Sequence, residues 1–503
     1  MKLCAFALLL TLPALPQDEE VHVNILGKAG AGKFSQANIT VESNKVLQAA
    51  FAGAPGNSIE TIIRSADGSI YIAGSSPGPT RLPGDGPGGS AFVAKFSPDM
   101  RKLERMLRLP PAFLTATCLA VAPDGTVVVA GERQGGDLNV ARLSAGLENA
   151  VWTKSATGDK AASVAVAPDN SVVVCPWEKP FVSRISADGS NLIPFGNKDT
   201  FRTDAGNPDI LKAWWEGCGY VSAGYKGDAR YHRGGSAGVV ALSDGTFVLF
   251  TTNFLTHPGG GPDFDPMLLK FDGEGKILWC TNLLDGLPAE SDQKQPHMAV
   301  DPHTGDLLLA AIQHGHFAHN LIATQNAFLT PHAWFTGNIM IGWIARVDPA
   351  NGKPKAATFY FPEMPGPLVA GKRKANSLFP QTPATDDAGN IYITGGTAWK
   401  LETTLHAFQS EPLGGCGFVS GFTPDLTRLI YASLITSKGY NFAGRAIIAT
   451  PGGPGIIGSY EQGKTAPFEF VTANADATNF LLPAPNGARG GFIGYYPSGP
   501  WKD

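Results

Sequence analysis

The loop from Gly219 to Arg233 carries the densest chemistry of the chain: Tyr220, Tyr225, Lys226, Arg230, Tyr231, His232 and Arg233 crowd together there. A guanidinium or imidazole can neutralise a sugar carboxylate, and a phenol or imidazole can take the proton from the adjacent carbon. Tyr225, Arg230 and His232 are therefore the catalytic candidates, and the chemistry they suit is β-elimination from a uronate-containing polysaccharide. Their spacing does not set their geometry, and a solvated polar loop has the same composition. His314-Gly315-His316-Phe317-Ala318-His319 is the metal candidate, offering the imidazoles of His314, His316 and His319, with His332 further along the loop. The motif holds no acidic residue, and packed histidines explain it as simply. Asp263 and Asp265, with His257, suit Ca²⁺ or merely a turn.

Other signals exclude function classes. Gly27 to Lys33 matches G-x-x-x-x-G-K, but Phe34 stands where a phosphate-binding loop needs Ser or Thr to hold Mg²⁺, and no βαβ unit follows. No G-x-S-x-G, H-E-x-x-H or C-x-x-C-H occurs in a suitable context, so no cofactor is specified. Charged residues are only 16% and the net charge is -4, which gives no electrostatic footprint for nucleic acid. The densest basic run, Lys372-Arg373-Lys374, reads as a solvated loop.

Residues 1–17 start with Lys2, continue as an apolar run from Cys4 to Leu15 and end before Asp18-Glu19-Glu20. That is the pattern of a secretory signal peptide, and it is too short to span a membrane. The expectation is an exported protein, secreted or periplasmic, with no membrane span. Cys118, Cys175, Cys218, Cys280 and Cys416 then remain, an odd and widely spaced set that describes neither a disulfide framework nor a zinc site. Cys118, Cys175 and Cys280 fall in strand-like runs and are expected in the core, while a Cys218–Cys416 bridge has no sequence support.

These candidates need a scaffold, and the chain repeats one. Ile59 to Gly74 (IETIIRSADGSIYIAG), Thr117 to Gly131 (TCLAVAPDGTVVVAG) and Ala162 to Cys175 (ASVAVAPDNSVVVC) are each two β-rich runs about a tight turn. The same phrase recurs from Gly238, His297, Ala384 and Arg445. Such turns need positive φ, which Gly and Asn adopt readily. A second hairpin follows each first one, as in AFVAKFSPDMRKLERMLRL from Ala91 and GFVSGFTPDLTRLIYAS from Gly417. Four strands per unit is the content of a propeller blade. After GGFIGYYP from Gly490 the chain runs out one strand short, and Lys45 to Phe51 is the donor that would complete the blade. The fold expected is all-β, a seven-bladed β-propeller whose last blade is closed by an N-terminal strand, with six or eight blades as alternatives. Residues 18–44 are an N-terminal extension and 45–503 the single propeller domain.

Ala407-Phe408-Gln409, a Gly-rich loop, Phe418-Val419 and Asp425 through Leu429, Tyr431 and Ser433 together resemble the SBBP family of bacterial β-propeller repeats. Asn326-Ala327-Phe328 leading to Trp343 through Asp348 is a weaker copy. The resemblance covers most of the chain after the leader and implies the fold; it brings no catalytic residues with it.

Loop lengths then locate the site. Turns inside each hairpin face one end of a propeller, and these are short throughout. Connections from strand two to three, and from blade to blade, face the other end. They hold the long segments: 77–90, 196–235, 252–264, 312–341, 361–380, 398–414 and 461–489. Binding or catalysis is expected on that face. Most histidines lie there, and His297 opens an inner strand beside it. Trp214, Trp215, Trp334 and Trp399 are candidate stacking surfaces for sugar C–H groups or, more simply, plugs over the channel mouth. The sequence therefore suggests a monomer that binds a carbohydrate-like ligand, a polysaccharide or an extracellular protein. The alternatives are a polyuronate lyase and a structural surface repeat.

Overall fold

Short β-branched runs separated by turns leave little room for helices, and among the described residues every regular element is a strand. The computed structural model describes residues 21–24, 36–39, 48–51, 58–75, 91–100, 102–133, 138–156, 161–176, 182–195, 238–256, 262–284, 293–314, 321–331, 334–337, 339–404, 407, 409–412, 415–436, 440–451, 453–462 and 489–495.

Seven antiparallel sheets of one design follow each other along these residues. Sheet one is Ser58–Arg64, Ile70–Ser75, Ala91–Phe96 and Leu103–Arg108. Sheet two is Cys118–Val121, Val127–Glu132, Leu138–Leu143 and Ala150–Ala156; sheet three is Ala161–Val166, Val172–Pro176, Val182–Ile185 and Leu192–Phe195. Sheet four is Gly238–Ala241, Phe247–Thr256, Pro262–Phe271 and Ile277–Thr281; sheet five is Gln293–Val300, Leu307–His314, Met340–Val347 and Pro354–Tyr360. In sheet six the first strand is split into Leu378–Pro380 and Ala384–Thr385, with Pro383, which has no N–H, in the gap. Ile391–Thr397, Cys416–Phe422 and Leu429–Ile435 complete it. Sheet seven is Tyr440–Thr450, Gly453–Gln462 and Arg489–Tyr495, with Gln48–Phe51 paired against its third strand.

First strands touch first strands from sheet one through sheet five, between sheets six and seven, and between sheet seven and sheet one, while the first strand of sheet six packs on the second and third strands of sheet five. They surround a cavity of about 1080 Å³. Four-stranded sheets meandering outward from a shared central cavity make this a β-propeller. The core lies between sheets. Ile59, Ile62, Ile72 and Phe96 of sheet one pack with Ile448, Ile457 and Ile493 of sheet seven, while Tyr71 and Val93 pack with Leu119 and Val129 of sheet two. A second strand is covered on both faces, so Val127-Val128-Val129-Ala130 and Leu307 to Ile312 are buried throughout rather than alternating.

Six of the seven turns between strands one and two place a left-handed residue near their end, and the sheet-seven turn, with Gly453 at φ 129°, differs. Gly68, Gly125, Asn170, Gly245, Gly305 and Gly389 all have φ between 64° and 86°, and each closes the turn between strands one and two. A basic residue on strand three then ties most turns down. Arg142 lies 3.9 Å from Asp124, Lys270 lies 3.2 Å from Asp244 and Arg346 lies 2.6 Å from Asp301, while Arg184 pairs with Asp169. The guanidiniums also reach the next sheet: Arg142 donates to the Ala187 carbonyl, Arg184 to Gly273 and Arg346 to Gly389. Sheet six has Gly421 at this place because Tyr392 fills it; a Cβ on Gly421 would stand 2.6 Å from that ring, and the Tyr392 hydroxyl donates to Asp386 instead.

Several expectations change. The 252–264 loop is mostly strand, since pairing continues from Thr251↔Met267 to Thr256↔Pro262, and Asp263 and Asp265 sit in that ladder. Lys372-Arg373-Lys374 is strand rather than solvated loop because Trp334–Phe335 and Glu363–Val369 supply it with partners on both sides. Cys280 is disulfide-bonded rather than a core thiol. Cys118, Cys175 and Cys416 are buried thiols, which removes the Cys218–Cys416 bridge. The Gly27 to Lys33 motif and residues 1–17 lie outside the described residues.

Candidate binding face

Connectivity divides the molecule into two ends. Turns between strands one and two, and between three and four, span only a few residues, and connections between strands two and three, or between sheets, carry the added structure. Exposed large apolar side chains follow the same division. Of the eight among the described residues, Phe335, Met364, Leu368 and Trp399 lie in the long connections, Leu114 lies in the shorter one between sheets one and two, and Val151, Ile193 and Leu278 lie on outermost strands. None is in a short turn, so the apolar surface is concentrated on the loop-rich end.

Most of that surface comes from an accessory sheet. Trp334–Phe335, from the strand-two-to-three connection of sheet five, pairs in parallel with Lys372–Ala375, which pairs antiparallel with Glu363–Val369. The two-residue turn Ala370-Gly371 has φ of 50° and 74°, the doubly left-handed turn that matches strand twist. One face packs inward: Trp334 is buried edge-on against Phe361 with centroids 5.3 Å apart, Ala375 is buried, and Arg373 Nη1 lies 3.1 Å from Glu363 Oε2. Glu402, from the neighbouring connection of sheet six, is pushed up to about 7 by burial and by the Glu363 charge, with Arg373 opposing. It can hold or release a proton near neutrality. The other face carries Phe335, Lys374 and Met364 in one cross-strand row.

The central cavity reaches this end as well as the short turns around Asp67 and Asp124 at the other. Its mouth is bridged from sheet to sheet: Thr117 Oγ1 donates to the Ala161 carbonyl at 2.7 Å, Ser163 Oγ to Val239 at 3.1 Å, and Arg445 pairs with Glu60 at 3.2 Å. His297 lines this mouth with Nδ1 3.5 Å from Thr382 Oγ1, and burial pulls its imidazole down to about 4. The ring is thus neutral near pH 7, able to donate one hydrogen bond and accept another.

The structure distributes the candidates unevenly. Trp214, Trp215, Tyr225, Arg230, His232, His316 and His319 lie outside the described residues, as do His257, His332 and His406. His314 ends the second strand of sheet five and is half-buried. Among the described residues no three His, Cys, Asp or Glu side chains gather as metal ligands. Trp334 is only 8% exposed, the packed arrangement, while Trp399 is 45% exposed and presents its indole. Phe335, Met364, Leu368, Lys374 and Glu402 were not foreseen. The signal was a hairpin phrase, Leu368-Val369-Ala370-Gly371-Lys372, hidden between two prolines and a basic run.

No protein-family model and no curated protein matches the chain. Solved structures that resemble it include U3-55K, with a TM-score of 0.43, 9% identity and 89% of this chain against 98% of that one covered. The β-propeller domain of Myceliophteria thermophila Cps50 (Swd1) gives 0.44 at 9% identity, covering 82% and 95%. Saccharomyces cerevisiae Sqt1 gives 0.43 at 9%, covering 86% and 89%. Among the described residues no helix is long and apolar enough to cross a membrane.

Proposed function

We propose that this protein is an exported, seven-bladed, closed β-propeller that binds an extracellular partner protein on its loop-rich end. The single observation behind the binding role is the concentration of exposed apolar side chains there, including the accessory sheet, against short polar turns at the opposite end. Seven sheets in a cycle of contacts, with Gln48–Phe51 completing the last, support a closed ring and a single domain after the leader. Kinship with the SBBP repeat belongs to the same reading and is supported by the Ala407 to Ser433 phrase. Export is supported by the apolar leader and by a disulfide at Cys280, since such bonds persist in oxidising compartments.

Site-specific photocrosslinking tests this. A crosslinker at Trp399 should trap a discrete protein species in the native extracellular milieu, and one at Pro123 in the opposite end should trap none. Equal yields at both positions would overturn the assignment. The exposed Trp399 indole favours a second reading, retention of a polysaccharide by stacking. Binding on a glycan array that Trp399→Ala abolishes would select that reading over the first.

A further inference from the structure

We propose that the mouth of the central cavity at the loop-rich end binds a neutral, polyhydroxylated small molecule, a sugar of one or two rings. This site goes beyond the protein-binding reading above and does not rest on it. Register supplies the first argument. In sheets five, six, seven and one the ladder between the first two strands slips by one residue at the same level. The slips fall across Gln295-Pro296, across Gln381 to Pro383, at Arg445 and at Glu60. A slip re-aims the side chains beside it, and Glu60, His297, Gln381 and Arg445 all line the cavity. Four polar side chains from successive sheets thus form one arc of the mouth.

Hydrogen-bonding capacity supplies the second. Arg445 spends Nη1 on Glu60 Oε2 at 3.2 Å and turns Nε to Ser459 Oγ at 3.5 Å, while His297 engages Thr382 through Nδ1. Among the described residues, Arg445 Nη2, Glu60 Oε1, His297 Nε2 and the Gln381 amide take no hydrogen bond. The opposite arc differs. Thr117 and Ser163 give their hydroxyls to carbonyls of the next sheet, and Ala120, Val166 and Ala241 line the wall below them. An apolar wall facing a few placed polar groups is the usual make-up of a small-molecule site.

Charge identifies the ligand class. Glu60 and Arg445 already neutralise each other, and His297, pulled down to about 4 by burial, is uncharged near pH 7. A carboxylate or an amine would have to compete with that ion pair. A sugar hydroxyl donates to Glu60 and accepts from Arg445 while the pair stays intact. A neutral imidazole and a primary amide each offer a donor and an acceptor, which suits the same hydroxyls. The C–H groups of the ring then meet the alanine and valine wall. The whole cavity, about 1080 Å³, stands at the top of the range of roughly 300–1,000 Å³ for small-molecule sites, so its mouth has room for one or two rings.

The test titrates the full chain with glucose, galactose, xylose, maltose and cellobiose, and with glucuronate and glucosamine as charged counterparts, followed by saturation-transfer NMR and calorimetry. At least one neutral sugar should bind with a Kd below about 10 mM, and both charged sugars should bind more weakly than it does. Gln381→Ala and Arg445→Ala, each checked for a melting temperature close to the parent's, should weaken that binding about tenfold. Leu278→Ser, on an outermost strand, should leave it unchanged. Failure of every neutral sugar to bind, tighter binding of a charged one, unchanged affinity in either mouth variant, or an equal loss in Leu278→Ser would overturn the proposal.

Discussion

Arg445 Nη1 stands 3.2 Å from the carboxylate of Glu60, joining positions 385 residues apart and tying sheet seven to sheet one. Both are the extra residues of bulges in first strands, where the ladder slips between Gly444 and Ala446 and between Ile59 and Thr61. A bulge re-aims the residue it leaves unpaired, here toward the channel mouth.

That ion pair is partly solvated, 22% and 47% exposed, and such pairs contribute about 0–1 kcal/mol. Glu60→Ala or Arg445→Ala should therefore lower stability by about 1 kcal/mol at most. Removing the chain through Phe51 should be far worse, because it bares the edge of Arg489–Tyr495. Thermal unfolding followed by circular dichroism separates the two, and a truncation as mild as Glu60→Ala would argue against a closed ring.

Arg346, one of the strand-three cations described above as tying down a turn and reaching the next sheet, meets two buried carboxylates, Asp301 and Asp306, in its own sheet and Gly389 in the next. Arg346→Ala strands Asp301, which is fully buried, and should cost about 3–5 kcal/mol. Arg142→Ala removes a longer contact to a half-exposed Asp124 and should cost less. Denaturant titrations of both variants give the comparison.

Acid should weaken the fold in two windows. Burial lowers His297 to about 4, so between the unfolded value near 6.5 and 4 the unfolded chain takes up a proton that the folded one refuses. Stability therefore falls with pH across that window, by at most roughly 1.4 kcal/mol per unit. Asp301 is opposed by burial but held below its ordinary value by the His303 backbone N–H and the Arg346 guanidinium. Its contribution is present above about 3.8 and is lost as pH falls through its folded value. Melting temperatures of His297→Gln should lose the upper slope and keep the lower.

Cys280 should appear in an oxidised pair by mass mapping of unreduced protein, with Cys118, Cys175 and Cys416 alkylated only after unfolding. Cys280→Ser should lower stability by about 2–4 kcal/mol, and reductant should do the same to the parent. A Cys280 that is alkylated in native, unreduced protein would contradict the bond.

Leu426 occupies the left-handed region at φ 55° and is fully buried, in the strand-three-to-four turn of sheet six. Leu426→Ala loses the packing and keeps the strain, costing about 2–5 kcal/mol. Leu426→Gly loses the same packing and relieves the strain, so it should be the milder substitution, by about 1 kcal/mol. Paired unfolding curves decide the order.

Hairpin alternation was legible along the chain because strand and turn preferences act over a few residues. Asp67-Gly68, Asp124-Gly125 and Asp244-Gly245 mark turns by what their own backbones tolerate, and the β-branched runs between them can only pair. The asymmetry of long and short connections follows from the same local count. Tertiary structure alone decided the rest. Lys372-Arg373-Lys374 became a strand only because Trp334, from a different connection, came alongside, and Arg373 faces inward only because Glu363 is there to receive it. Side-chain direction depends on neighbours tens or hundreds of residues away, as that of Glu60 does on Arg445, and no window of sequence contains both partners.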